Sequence, residues 1–113
     1  MECLFCKIAK GEIPSKKVDE TGSLFAFRDI NPVAPVHVLI IPKKHIPSHA
    51  SLAPEDHNMI AEVHDLANLI AKKEGISKSG FRLVANNGPD AGQAVDHLHF
   101  HLVGGRLMLW PPG

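Results

Sequence analysis

A chain of 113 residues has room for one domain built around one core. Twelve Lys and Arg balance twelve Asp and Glu, so no strong field of either sign draws it to nucleic acid or to a membrane surface. Hydrophobic residues make up an ordinary 44% with no run long enough to span a bilayer, and the count that needs a reason is eight histidines.

The opening segment MECLFCKIAKGEIP lacks the charged start and long apolar run of a signal peptide. Its cysteines, Cys3 and Cys6, are spaced C-x-x-C, which suits a metal clamp or a redox pair better than a disulfide framework. Both features predict a cytoplasmic protein. Residues 4–9 are predicted to form a short helical turn, stopped by Gly11 and Pro14. Strands are expected over 16–20 and 24–28 around the turn Thr21-Gly22. The β-branched, apolar run Val36-His37-Val38-Leu39-Ile40-Ile41 predicts a third strand, closed by Pro42.

From Ala53 the period changes. Pro54 suits a first helical turn, and Glu55 and Asp56 favour a helix N-terminus. Ile60, Val63, Leu66, Ala67 and Ile70 recur at helical spacing, and Gly75 follows Lys72 and Lys73 as a stop. Residues 81–85 read as a strand, and Asn86-Asn87-Gly88-Pro89-Asp90-Ala91-Gly92 as a dense turn. A last strand is expected over His97 to Val103, before a tail rich in Gly and Pro. About five strands and one long helix make an α+β domain over residues 1–113.

Alternation on that last strand places His97, His99 and His101 on one face, roughly 6.5–7 Å apart. Leu98, Phe100 and Leu102 face the other way, toward the helix. Single histidines such as His49, His57 and His64 need no special role, but three in strict alternation have no folding rationale. A transition metal could use them, since imidazole is a common ligand, although no H-E-x-x-H or similar catalytic metal motif accompanies them. Nucleophilic catalysis fits better. Imidazole is substantially unprotonated near neutral pH, and attack on phosphorus needs one free ring nitrogen while the other is held by a hydrogen bond. Flanking histidines can move protons and touch phosphate oxygens. Asn86, Gln93 and the amides from Gly92 to Ala94 can donate to developing charge, and Gly92 admits a ligand close to backbone.

The run Gly92-Gln93-Ala94-Val95-Asp96-His97-Leu98-His99-Phe100-His101-Leu102-Val103 resembles the signature of the histidine triad (HIT) family. Leu4-Phe5-Cys6-Lys7-Ile8, Gly11-Glu12-Ile13-Pro14, residues 26–35, Ile41-Pro42-Lys43-Lys44-His45-Ile46, Gly104-Gly105-Arg106 and Trp110-Pro111-Pro112-Gly113 are similar to its Hint branch. The resemblance covers nearly the whole chain. It implies a HIT-like fold with a five-stranded antiparallel sheet, a long helix and a short N-terminal helix. The implied activity is hydrolysis of purine nucleoside 5'-phosphoramidates, with no cofactor needed for catalysis. By motif position His99 is the nucleophile, His101 contacts phosphate and moves protons, and His97 orients His99, with His45 close by. Asp29 matches the ribose-binding position, and a carboxylate can accept from both ribose hydroxyls. Phe5, Ile8, Phe27 and Ile30 match the base pocket, and Asn86, Gly92, Gln93 and Ala94 the phosphate loop. Two positions depart from the pattern: Ala94 stands where Ser is usual, and Asp96 where an aromatic is usual.

The resemblance also implies that Cys3 and Cys6, with His45 and His97, can form a structural zinc clamp. Hint-branch proteins are homodimers with one continuous sheet, which implies that the apolar tail around Trp110 reaches toward the partner's site. A dinucleoside polyphosphate hydrolase is the alternative within the family, and a nucleotide-binding regulatory module with vestigial catalysis is the alternative outside enzymology. Neither nucleic acid nor membrane is an expected partner.

Overall fold

The computed structural model describes residues 3–113. Helix α1 (Leu4–Ala9) precedes β1 (Lys17–Glu20), β2 (Leu24–Arg28) and β3 (Val36–Pro42). Helix α2 (His57–Lys73) then leads to β4 (Phe81–Ala85) and β5 (Phe100–Gly104). The five strands form one antiparallel sheet in the order β1-β2-β3-β5-β4.

The central strands explain the layering. On β3, Val36, Val38 and Ile40 pack with Leu24 and Ala26 of β2 and with Phe100 and Leu102 of β5, under Val63, Leu66, Ala67 and Ile70 of α2. Leu39 and Ile41, with Phe25 and Phe27, face the other way and are covered by Phe5 and Ile8 of α1. A strand buried on both faces reads as a continuous apolar run, which is why β3 shows no alternation in sequence.

Helix α2 starts later than its sequence signal. Pro54–Asp56 make a single 3₁₀ turn, and the α-helix proper begins at His57. The Asp56 carboxylate accepts from Ala53 N–H at 3.0 Å and pairs with Lys44 at 2.8 Å, which fixes the entry to the helix. At the far end Gly75 adopts a φ of 76°, and Ile76 N–H returns to Ala71 O at 3.0 Å.

One boundary differs from the sequence expectation. The last strand begins at Phe100, not at His97. The ladder with β3 ends at Ile40↔Phe100. Beyond it Pro42 has no N–H to offer, and its carbonyl accepts from the ring of His97 at 2.8 Å instead. The segment His97-Leu98-His99 still keeps the alternation. Leu98 is 1% exposed in the α2-side core, and its N–H is held by Ile46 O at 2.6 Å.

Candidate active site

His97 and His99 are buried and His101 half-buried, all on the sheet face away from α2. His99 donates from Nδ1 to the main-chain carbonyl of His97 at 2.7 Å. That bond fixes the tautomer and leaves Nε2 as an unprotonated nitrogen with no hydrogen-bond partner among the described residues. The ring stands edge-on to Phe5 at 5.1 Å and to His101 at 5.1 Å.

A fourth histidine joins them. His37 on β3 lies one strand position from Val38, the partner of Leu102, and its Nε2 meets Nδ1 of His101 at 2.9 Å. Val33 N–H donates to Nδ1 of His37 at 3.1 Å, so the neutral His37 ring carries its proton on Nε2. That proton points at His101 Nδ1, with Asp29 Oδ2 at 3.4 Å. His101 therefore accepts on Nδ1 and holds its own proton on Nε2. Sequence reading assigns His37 no role. The only signal was one polar residue inside an otherwise apolar, wholly buried strand.

Burial is the main cause that lowers the pKa of His101 from 6.5 to about 4, with repulsion from His99 and His37 adding to it and Asp29 opposing it. Burial also lowers the pKa of His37, again opposed by Asp29. Both rings are neutral at pH 7. Between pH 6.5 and about 4 the unfolded chain takes up a proton that the native His101 refuses. Its contribution to stability is therefore complete above the unfolded value and is lost as pH falls through that window. In a histidine ¹⁵N–¹H NMR titration, His101 is expected to stay in the Nε2–H form until pH approaches about 4. A midpoint at an ordinary imidazole value would overturn this electrostatic picture.

A cleft of about 580 Å³ opens beside His37, lined by Ile8, Phe27, Asp29, Ile30 and Pro14 among others. Four of the residues expected to bind the nucleoside thus share one wall. Ile30 is 90% exposed at its rim, whereas Phe5 stands apart from the cleft, buried against Phe27 and the ring of His99. Asp29 Oδ1 accepts from Asn31 N–H at 2.8 Å, a local turn contact that leaves lone pairs on both oxygens.

The expected phosphate loop is divided. Gly92 takes the left-handed conformation, with φ 78°, that brings the chain back toward the triplet. Ala94 N–H and the Asn86 side chain have no hydrogen-bond partner among the described residues. Gln93 differs from expectation. Its side chain donates to Pro47 O at 2.8 Å and Val95 O at 3.0 Å, accepts from Gly88 N–H at 2.9 Å, and its own N–H pairs with Gly88 O. With every donor engaged, Gln93 braces the loop rather than offering a hydrogen bond to phosphate. Asp96 is exposed and has no ion pair or hydrogen bond among the described residues. His49, His57 and His64 are exposed.

On the other side of His97, four potential ligand atoms converge. Nδ1 of His97 lies 3.3 Å from Cys3 Sγ, 3.6 Å from Cys6 Sγ and 3.2 Å from His45 Nδ1, and Cys6 Sγ lies 3.4 Å from His45 Nδ1. Zinc bonds of about 2.3 Å to sulfur and 2.0–2.1 Å to nitrogen, set at tetrahedral angles, give edges of about 3.6 Å for S···N and 3.4 Å for N···N. The observed separations match those edges. His97 also donates from Nε2 to Pro42 O at 2.8 Å, which turns the Nδ1 lone pair into the cluster. Burial raises the Cys6 thiol pKa, with Cys3 adding to it. This donor set fits zinc. Asp29, His37 and His101 also lie close enough to be a ligand set, but the Val33 amide occupies His37 Nδ1 and keeps the proton on Nε2. A metal there would need an imidazolate.

The tail from Leu107 to Trp110 leaves Leu107, Leu109 and Trp110 77–87% exposed. The Trp110 ring lies 5.9 Å from the Arg82 guanidinium and does not fold onto the core. No helix among the described residues is long and apolar enough to cross a membrane.

The chain is 48% identical over 112 residues to the 14 kDa zinc-binding protein of Zea mays, covering 97% of this chain and 87% of that protein. It is 47% identical over 112 residues to adenylylsulfatase HINT1 of Arabidopsis thaliana, covering 97% of this chain and 76% of that protein. Among solved structures, a HIT family hydrolase from Legionella pneumophila Philadelphia 1 superposes with a TM-score of 0.97 at 51% identity, covering 99% of this chain and 100% of that one. The HIT domain family model matches residues 10–108. Together with the four-histidine site and the alternating triplet, these matches show that the chain belongs to the histidine triad (HIT) domain family, in its Hint branch.

Proposed function

We propose that this protein is a nucleotide hydrolase that splits the P–N bond of purine nucleoside 5'-phosphoramidates, of the AMP-amide and adenylyl-lysine type, through a nucleotidyl-His99 intermediate. The observation that carries this reading is the 2.7 Å bond from His99 Nδ1 to His97 O, which leaves Nε2 free beside His101. Relatives named as a HIT family hydrolase and as an adenylylsulfatase support hydrolysis at an adenylyl group.

The steps follow from the tautomers. The bound phosphoramidate anion favours the imidazolium of His101, because a nearby negative charge raises its affinity for a proton. Nδ1 takes that proton as the His37 Nε2–H turns to Asp29 Oδ2, 3.4 Å away. His99 Nε2 forms a bond to phosphorus as the P–N bond breaks, and the departing amine takes the Nε2 proton of His101. Neutral His101 then accepts a proton from water, whose oxygen bonds phosphorus and releases His99. The free Ala94 N–H and the Asn86 side chain bind phosphate oxygens, and Gly92 lets the backbone approach them. Asp29 accepts from the ribose hydroxyls, and Ile8, Phe27 and Ile30 hold the purine, with Phe5 packed behind.

Zinc held by Cys3, Cys6, His45 and His97 would be structural, in a closed four-ligand site through which no step of hydrolysis passes. The exposed apolar tail supports a homodimer in which Trp110 approaches the partner's site, and a C-x-x-C pair whose spacing suits a metal clamp better than a disulfide framework supports a cytoplasmic setting.

The test offers AMP-amide, adenylyl-lysine, adenylyl sulfate and a diadenosine polyphosphate to the same preparation. The phosphoramidates are expected to show kcat/KM higher than the diadenosine polyphosphate by roughly a hundredfold, the scale of discrimination against a misfitted group. Mass spectrometry of an acid-free quench is expected to locate the nucleotidyl group on His99. Preferential cleavage of the diadenosine polyphosphate, or an adduct on another histidine, would overturn the reading.

A further inference from the structure

The four-ligand cluster reaches the reacting centre by two routes, neither of which involves substrate. His97 is common to both the cluster and the triplet. Its Nδ1 faces Cys3, Cys6 and His45, its Nε2 is donated to Pro42 O, and its main-chain carbonyl receives the Nδ1 proton of His99. A ring held at both nitrogens leaves its own carbonyl little freedom, and that carbonyl orients the nucleophile.

The second route is α1. This helix has only six residues, far below the length at which a helix holds itself in water. Cys3 caps it, accepting from Cys6 N–H, and Cys6 lies in its first turn. Between them Phe5 is 5% exposed, with its ring 5.1 Å from His99 and 5.9 Å from His97. Ile8, one turn on, lines the nucleoside cleft. Closing the cluster on a metal would clamp α1 to His97 and seat Phe5 against the nucleophile.

We propose that the zinc-loaded cluster positions His99 for attack, so that Cys3, Cys6 and His45 are positioning residues for hydrolysis although none of them touches substrate. For its kinetic readout this inference rests on the phosphoramidase reading above. His45 is the informative residue. Its side chain is exposed, and among the described residues its hydrogen-bond and ring contacts are with Cys6 and His97 alone.

The experiment compares wild type, His45→Ala and His45→Cys, each purified without added metal. His45→Cys restores a fourth ligand and gives a Cys₃His set, another common structural zinc arrangement. Elemental analysis is expected to find about one zinc per chain in wild type and in His45→Cys, and almost none in His45→Ala. With AMP-amide, His45→Ala is expected to lose roughly ten- to a hundredfold in kcat with KM within about threefold, the scale of a slightly misplaced nucleophile. His45→Cys is expected to recover kcat to within about threefold of wild type.

Imidazole ¹⁵N NMR supplies a readout that needs no substrate. His99 is expected as a single Nδ1-protonated tautomer in wild type and His45→Cys, and as a mixture in His45→Ala. Zinc-free His45→Ala with wild-type kcat and one His99 tautomer would overturn the proposal. So would a zinc-loaded His45→Cys that recovers neither property, or a wild-type protein that takes up no zinc. If wild type turned over no phosphoramidate, the activity reading would fail by itself, and the tautomer comparison would still decide this inference.

Discussion

Replacing His99 by Asn is expected to lower phosphoramidate turnover by roughly ten-thousandfold or more, the loss typical of a removed covalent nucleophile. Asparagine is close to imidazole in size, and its amide can donate to the His97 carbonyl as Nδ1 does now. What it lacks is the free Nε2 lone pair. AMP affinity is therefore expected to change by only a few-fold, because Asp29, the apolar cleft and the loop amides are untouched. Steady-state kcat, AMP titration and adduct mass spectrometry separate the two effects. A variant retaining turnover within about tenfold of wild type would rule out His99 as the group that bonds phosphorus.

Leu98→Ala is expected to destabilise the fold by about 3–4 kcal/mol, the middle of the range for a large buried aliphatic side chain cut to Ala. Leu98 is 1% exposed under α2. Its neighbours on either side carry the reactive face, so a cavity at Leu98 also lets His97 and His99 shift. Thermal unfolding is expected to drop by roughly 10 °C or more, with turnover falling even at temperatures where the protein remains folded. A loss of less than about 1 kcal/mol would mean that the triplet is not anchored through the core as described.

The part of the site that was legible in sequence is the part governed by local geometry. Alternation in His97-Leu98-His99-Phe100-His101-Leu102 separates the imidazoles from the core-facing side chains whether or not the whole run is a regular strand. It therefore survived the shift of the strand start to Phe100. The helical stripe from Val63 to Ile70 was equally local, and these residues cover the sheet. The bracing contacts of Gln93 were not legible, because its side chain spans the loop to Pro47, 46 positions away. A glutamine that braces and one that binds look alike in sequence. Phe5 was placed in the base pocket but packs behind it, since burial depth on α1 depends on how that helix lies on β2 and β3.

By itself, then, the sequence determined the face on which the imidazoles lie, the residue types able to attack phosphorus and bind ribose, and an α+β order of elements. Those features follow from two backbone periods and from side-chain chemistry. The tertiary structure decided which groups meet. It alone brings His37 within 2.9 Å of His101, because that contact depends on how β3 is registered against β5. It alone brings Cys3 to His97 across 94 positions and Cys6 to His45 across 39, at separations that fit the edges of a zinc tetrahedron. It also decided the tautomers, through the Val33 amide and the carbonyls of His97 and Pro42. Which ring nitrogen is left free and which holds a proton is set by backbone groups that only folding delivers.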